Sequence, residues 1–430
     1  MFNPVVYNPD IRIILIYEYH RRPTFTSVNP DYPYIRIIHN MLVLGIESSC
    51  DDTSVALLDC SSKGCFVIRE FTASQIEIHK KYGGVVPEIA GRMHAEKIVP
   101  LIEETLKHDN TSTREHENIK TLKQLKPDVI AVTAGPGLIT GLIVGVEAAR
   151  TLSYAWDVPL VAVNHIEGHI HSVEIPNPKT QNPNKFQAPN PKSSIFNLQS
   201  SLQYPALALV VSGGHTELIY IKKQGNYKII GQTRDDAAGE CFDKVAKLLG
   251  LPYPGGPQIS RLAETGRTDA INFPRPMIRD DNFDFSFAGL KTSALYWLQK
   301  NKLSATNILP IQLPAGVFGQ TPENPTINDF CASFEQAIVD VLVAKTIRAA
   351  QDLKPKSIIL AGGVSANTKL RETLAQQIHS HFPLSPFLFP PINYSMDNAA
   401  MIAIAGYYHA VKKDFTDWKK IKAEPNRILN

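Results

Sequence analysis

Residues 41–59 read Met41-Leu42-Val43-Leu44-Gly45-Ile46-Glu47-Ser48-Ser49-Cys50-Asp51-Asp52-Thr53-Ser54-Val55-Ala56-Leu57-Leu58-Asp59. The apolar run over 41–46 predicts a buried-type strand, the run over 54–59 predicts its return, and small donors and carboxylates fill the turn between them. Such a turn can receive phosphate oxygens on backbone N–H and hydroxyl groups and keep an acid for metal or base work. Alone the signal is weak, because Ser-rich acidic turns are common. The pattern returns, however, at an apolar strand over 205–211, a turn Ser212-Gly213-Gly214-His215-Thr216-Glu217 and a strand over 218–221. Two copies of one strand–turn–strand unit predict a duplicated α/β fold with ligand between the halves.

Asn164-His165-Ile166-Glu167-Gly168-His169-Ile170-His171 follows a short strand over 159–163. His165 and His169 are four residues apart, so on a helix they share a face and can grip one metal ion. A plain polar helix face is the competing reading. A zinc peptidase is disfavoured, because in H-E-x-x-H the glutamate directly follows the first histidine, whereas Glu167 comes two residues later and points about 100° away. His171 is turned out of the face.

The 430-residue chain, 43% hydrophobic and 20% charged, is long enough for two cored domains. A net charge of +3 does not mark a general nucleic-acid coat, so any RNA contact must use local patches. Lys412-Lys413 and Lys419-Lys420-Ile421-Lys422 form one such patch, or else a solvated helix face. Five cysteines without a C-x-x-C pair predict reduced thiols. No apolar run approaches the roughly 18–20 residues that span a bilayer. Residues 1–40 resemble neither a secretory signal nor an organellar presequence, since the apolar centre is short and Asp10, Glu18 and Asp31 intervene. They are expected to be an extension outside the core.

Further along, residues 75–105 predict helix, loop and helix, with His79 and His94 beside the break. A buried strand over 128–133 runs into Ala134-Gly135-Pro136-Gly137, and the small residues Gly145, Ala148 and Ala149 of the next helix suit packing on a neighbouring helix at a hinge. Residues 108–126 predict a loop and an exposed helix, while 173–204 and 301–328 are Pro- and Asn-rich inserted loops. Asp243 could accept hydrogen bonds from a ligand, 330–353 predicts a long amphipathic helix, and Gly362-Gly363 at a strand end leaves room for a base or ribose. Asp397, at the start of the last helix, is a candidate third metal ligand.

Seven stretches together resemble the TsaD-type tRNA adenosine threonylcarbamoyltransferases, formerly called O-sialoglycoprotein endopeptidases. These are the turn from Gly45 to Thr53, Gly135-Pro136-Gly137, Asn164-His165-Ile166-Glu167-Gly168-His169, Val211-Ser212-Gly213-Gly214-His215-Thr216, Phe242-Asp243-Lys244, Gly362-Gly363-Val364-Ser365-Ala366-Asn367 and Asp397-Asn398-Ala399-Ala400. Each is modest alone, and seven in the family's order are specific. The resemblance implies an α/β, actin-like ATPase (ASKHA) superfold of two ribonuclease-H-like halves around a central cleft. On that reading residues 41–172 plus 396–430 form the first half and 205–395 the second. It also implies a divalent metal, iron(II) favoured and zinc possible, on His165, His169 and Asp397. Threonylcarbamoyl-adenylate would lie on the backbone of Val210, Val211, Ser212, Gly213 and Gly214 and on Asp243, Gly256 and Asn367.

The implied reaction carries the threonylcarbamoyl group to the adenosine after the anticodon of a tRNA, in the cytoplasm and off the membrane. The implied partners are a paralogous TsaB-like subunit, a TsaE-like ATPase and a TsaC-like synthase that supplies the adenylate. Glu47 and Asp51, on the opposing turn, are the candidates for proton removal or for orienting the adenylate; each could equally cap its own turn. A phosphotransferase of the same superfold, or a non-catalytic nucleotide-binding scaffold, is the alternative.

Overall fold

The computed structural model describes residues 11–14, 40–107, 126–176, 202–301 and 325–429. Expectations for most of the extension before Met41, for 108–126, and for most of the inserted loops 173–204 and 301–328 lie outside the described residues. The first sheet and its helices comprise β1 (Ile11–Ile14), β2 (Met41–Glu47), β3 (Asp52–Ser61), β4 (Gly64–Ser74), α1 (Ile76–His79), α2 (Pro87–Leu106), β5 (Val129–Gly135), α3 (Ile139–Trp156), β6 (Leu160–Asn164) and α4 (His165–His171). There follow β7 (Ala206–Val211), β8 (Thr216–Lys223), β9 (Asn226–Gln232), α5 (Ala238–Leu248), α6 (Gly255–Ala263), α7 (Ala288–Lys300), α8 (Ile327–Leu353), β10 (Ser357–Ala361), α9 (Thr368–His381), β11 (Phe387–Leu388) and α10 (Ala399–Val411).

The strand order is β1-β4-β3-β2-β5-β6 in one sheet and β11-β10-β7-β8-β9 in the other. With β1 set aside the two are the same design. Three strands meander antiparallel, the first of them pairs in parallel with a fourth, and a fifth lies parallel on the fourth. The duplicated strand–turn–strand unit is therefore the opening hairpin of each half. The inner strands β5 and β10 are buried at every position, as parallel strands covered on both faces must be. β1 pairs antiparallel with the edge strand β4, so four residues of the extension belong to the first sheet.

α10 lies directly across β2, β3 and β5, while α2 and α3 cover the opposite face. Glycine permits this close crossing: a Cβ on Gly45 would run into the Ala399 carbonyl oxygen, and one on Gly406 into Ala131. In the second half α8 is buried on nearly all sides rather than amphipathic, because α6 and α9 enclose it. Even Lys345 is fully buried, its ammonium donating to the Asn282 carbonyl at 2.7 Å.

The expectation of reduced thiols throughout is corrected. Cys60 and Cys65 face each other across the β3–β4 hairpin and are joined as a disulfide, leaving Cys50, Cys241 and Cys331 as thiols. A tight hairpin makes this pair direct cross-strand neighbours, a relation the C-x-x-C criterion does not test. α3 does pack on a neighbouring helix, α2, where Gly141 abuts His94, while Gly141 and Gly145 also press on Ser48 of the β2–β3 turn.

Gly45→Ala should lower stability by about 1–3 kcal/mol through overpacking of the α10 crossing. Urea unfolding midpoints of the two proteins at equal m would show it.

Candidate metal centre and cleft

Strand β6 delivers α4, and the Asn164 side chain caps it by accepting from Ile166 N at 2.8 Å. One turn apart, the His165 and His169 rings meet edge to face with centroids 4.6 Å apart. Asp397 arrives from the far end of the chain, just before α10. Three side chains hold that helix start: Asn398 Oδ1 accepts from Met401 N (2.9 Å), Ser54 Oγ from Ala399 N (3.0 Å) and Glu70 Oε1 from Ala400 N (3.1 Å). They satisfy amides that a helix start leaves without partners. Asp397 Oδ1 thereby sits 3.3 Å from His169 Nε2 and 3.5 Å from His165 Nε2. One ligand atom from each of the three residues lies within 4.8 Å of the others.

The donor set fits a divalent metal. Both ring nitrogens of His169 are buried without a hydrogen-bond partner among the described residues, despite the nearby Asp397 oxygen. An unsatisfied buried polar group costs about 1–3 kcal/mol, so such a ring calls for an occupant. Two imidazoles and one carboxylate with room on the open side are ligands for iron or zinc.

Glu47 stands behind this centre. Its carboxylate accepts from Ser49 N (2.6 Å), Thr133 Oγ1 (2.7 Å) and His165 Nδ1 (2.9 Å), and it is fully buried. It does not line the cleft itself, and it meets the cavity through His165 and Ser49. Burial alone would push the His165 imidazole down, but the charges of Glu47 and Asp397 outweigh burial and raise it to about 9. Burial would likewise raise Asp397, yet His165 and His169 hold its carboxyl far below the usual range. The opposite face of α4 is tied down too. Glu167 accepts from Tyr227 of β9 (2.8 Å) and pairs with His409 of α10 (3.0 Å), which in turn meets Asp414 at 2.8 Å. Glu167 therefore points away from the cleft, as the spacing argument required. His171 is held by Glu174 and Tyr227.

The centre opens on a cavity of about 1360 Å³ between the two sheets. Of the residues singled out from sequence, Asp51, His165, Ser212, Gly213, Gly214, Asp243, Gly256, Asn367 and Asp397 line it. Val210 and Val211 do not, being core residues of β7 whose backbone is engaged by β8 and β10. Asp243 Oδ1 accepts from Gly255 N at 2.6 Å, fixing the start of α6, and burial raises its pKa. Asn367 caps α9 and donates to Ser260 and Glu335, so its polar atoms are already engaged. His79 and His94 are structural: His94 bridges Thr53 and Cys50, and His79 bridges Gln75 and Val86.

Three of the lining residues that the sequence did not assign to the site bear on its chemistry. His215 borders the metal centre, and burial, then the two imidazoles, lower it to about 4, so it is neutral at pH 7. Its signal was the Gly-Gly-His turn itself. Tyr253 donates to Asp51 Oδ2 at 3.2 Å across the cleft, and Glu335 enters from α8; neither stands in a recognisable pattern. Burial, then the charge of Asp397, raises the Asp51 carboxyl.

Repeated five-strand units facing each other over a ligand-sized cleft define a two-lobed α/β protein of the actin-like ATPase superfold, here with a metal-type centre at its base. Within that class the chain belongs to the TsaD family, tRNA N6-adenosine threonylcarbamoyltransferase, whose model matches residues 66–187 and 193–404. The tRNA N6-adenosine threonylcarbamoyltransferase of Listeria innocua serovar 6a is 46% identical over 367 residues, covering 85% of this chain and 91% of that protein. The Enterococcus faecalis protein of the same name is 40% identical over 384 residues, covering 89% and 94%. Among solved structures, full-length HypF in its phosphate- and nucleotide-bound form aligns with a TM-score of 0.48 at 12% identity, covering 87% of this chain and 56% of that one.

With its folded pKa near 9 and an unfolded value near 6.5, His165 adds stability to metal-free protein that is complete below pH 6.5 and lost as pH rises toward 9. Chelated protein should therefore weaken across that window. In Glu47→Gln that pH slope should flatten, as read from denaturant midpoints at each pH.

Proposed function

We propose that this protein transfers the threonylcarbamoyl group of threonylcarbamoyl-adenylate to the exocyclic amine of the adenosine after the anticodon, in tRNAs that read ANN codons, with release of AMP. The observation that carries the reading is the cluster of His165, His169 and Asp397, its His169 ring buried without a hydrogen bond among the described residues, beside a cleft of nucleotide size that His165 and Asp397 line, in a chain of this family. A phosphotransferase of the same superfold would leave both imidazoles without a task.

A metal on His165, His169 and Asp397, iron(II) before zinc, would supply Lewis-acid polarisation of the carbamoyl carbonyl toward a weakly nucleophilic amine. The protein's own groups do the rest. Glu47 holds the Nδ1 side of His165, so that Nε2 faces the cleft, the arrangement that orients metal-binding imidazoles. The Ser212, Gly213 and Gly214 turn supplies donors for the phosphate of the departing AMP. Asp243 and Gly256 receive the nucleoside portion, while Asn367 shapes the wall through its cap of α9. As the new C–N bond forms and the bond from carbamoyl carbon to phosphate oxygen breaks, the amine must lose a proton. Asp51 is the acceptor we assign, because it lines the cleft and burial weakens its acidity, as suits a general base.

The two lobes, residues 41–172 with 396–430 and residues 205–395, would close on the adenylate. A TsaC-like synthase would supply that adenylate, and a TsaE-like ATPase and a TsaB-like subunit would complete the set. Tyr82, 57% exposed, and Val99, 56% exposed, give the 75–99 region an apolar surface suited to the TsaB-like partner. Among the described residues no helix is long and apolar enough to cross a membrane, which accords with work on tRNA in the cytoplasm.

His165→Ala should abolish stoichiometric metal and reduce transfer at least about 100-fold, while the circular dichroism spectrum stays native. Metal analysis beside a single-turnover assay with preformed adenylate and tRNA decides it, and iron or zinc is identified in the same measurement. Asp243→Asn should raise the adenylate Kd by about 10–100-fold, the loss of one charge-assisted hydrogen bond. An unchanged Kd removes the residue from the site.

A further inference from the structure

The basic cluster near the C-terminus is not a solvated helix face. After α10 the chain runs along the outside of the first lobe and is pinned at several points. Thr416 N donates to the Leu160 carbonyl (2.8 Å), Arg150 to that of Ile421 (2.5 Å) and Glu424 N to that of Ala134 (2.7 Å), while Pro425 accepts from Gly137 N (3.1 Å). Ile421 is buried in the core beneath α3. Trp418 is gripped by Tyr154 of α3, with ring centroids 4.8 Å apart, and by the Lys419 ammonium at 5.3 Å. On this fixed backbone the side chains of Lys419, Lys420 and Lys422 are exposed.

Their charges are not taken up by carboxylates, although the Lys419 ammonium also rests over the Trp418 ring. Among the acids nearby, Asp414 pairs with His409, Glu424 with Arg427 and Glu147 with Arg150, while Asp417 Oδ1 accepts from the Lys419 backbone N. None of the three lysines forms an ion pair among the described residues. On a chain of net charge +3, three adjacent unpaired ammonium groups make a local positive field.

Their position relative to the cleft is also set. Glu424 and Pro425 are bonded to the loop whose Pro136, Gly137 and Leu138 line the cavity. Lys422 is two residues back from Glu424 and three from Pro425, so its Cα lies within about 7 Å of the first and about 11 Å of the second, and the stretch 419–422 spans at most about 10 Å. A nucleic-acid duplex carries on the order of one charge per 1.7 Å of axis, so a stretch of this length matches several backbone phosphates.

We propose that Lys419, Lys420 and Lys422 form a phosphate-binding rail for the helical stem beneath the anticodon loop, with Trp418 and Tyr154 holding the rail rigid. The contacts position the RNA without reading its sequence, as phosphate contacts do. This rests on tRNA being the substrate, which the unmutated protein tests in the same assay. Activity there is the precondition.

The test is the charge-reversal variant K419E/K420E/K422E and the milder K419Q/K420Q/K422Q, each in the full chain with the complete partner set. Reversal should raise KM for tRNA by about 10-fold or more and reduce the slope of log affinity against log salt by about two to three. The neutral variant should shift both less, with kcat and the KM for adenylate unchanged in each. Trp418→Ala, which frees the backbone but keeps every lysine charge, should give a smaller rise in KM. Unchanged KM and salt slope in the reversal variant overturn the proposal. So does lost assembly with a partner protein while tRNA affinity of the assembled fraction stays normal, which would make the rail a protein-docking surface.

Discussion

The close crossing of α10 over the first sheet is the constraint on which the site depends. Gly45 and Gly406 let the helix rest on β2 and β5 with no side chain between, and Gly168 lets α4 approach Ile402 and Met401 in the same way. Because α10 can take only that seat, its first turn falls beside the β2–β3 and β3–β4 strands, where Ser54 and Glu70 accept its free amides. Asp397 is then delivered to the two imidazoles by packing, although more than two hundred residues separate it from them in the chain.

Much of this was legible in the sequence, and the reason is periodicity. The apolar runs at 41–46 and 205–211, each followed by a small-residue turn, identify the paired hairpins that open the two halves, and an i, i+4 histidine pair is visible on any helix. Motif order then supplied Asp397. Roles, in contrast, depend on which way a side chain points. Glu47 and Asp51 stand four apart in one turn, yet Glu47 is the last residue of β2 and faces inward to His165, while Asp51 faces the cavity. Tyr253 and Glu335 reach the cleft from loops and helices whose local sequence has no signature. The Cys60–Cys65 bond likewise follows from hairpin register, and cysteine spacing does not encode it.

The electrostatics of the centre are layered. Glu47 on one side and Asp397 on the other hold His165 cationic in the absence of metal, while His169, with no carboxylate behind it, is lowered by burial and by its charged neighbour. The two histidines are thus unequal, one raised by neighbouring carboxylate charges and the other lowered by desolvation. On the far face of α4, Glu167 joins Tyr227 of the second sheet to His409 of α10. The helix that bears the ligands is therefore clamped by both sheets and cannot rotate independently of either.

The Tyr253 hydroxyl reaches Asp51 from the other lobe, a hydrogen bond between two residues that line the cavity. A bond of that kind contributes only about 0.5–1.5 kcal/mol net, which corresponds to a several-fold bias between joined and parted states. This contact therefore does little to resist a change in the spacing of the two lobes, and without it Asp51 Oδ2 has one more lone pair to offer a ligand.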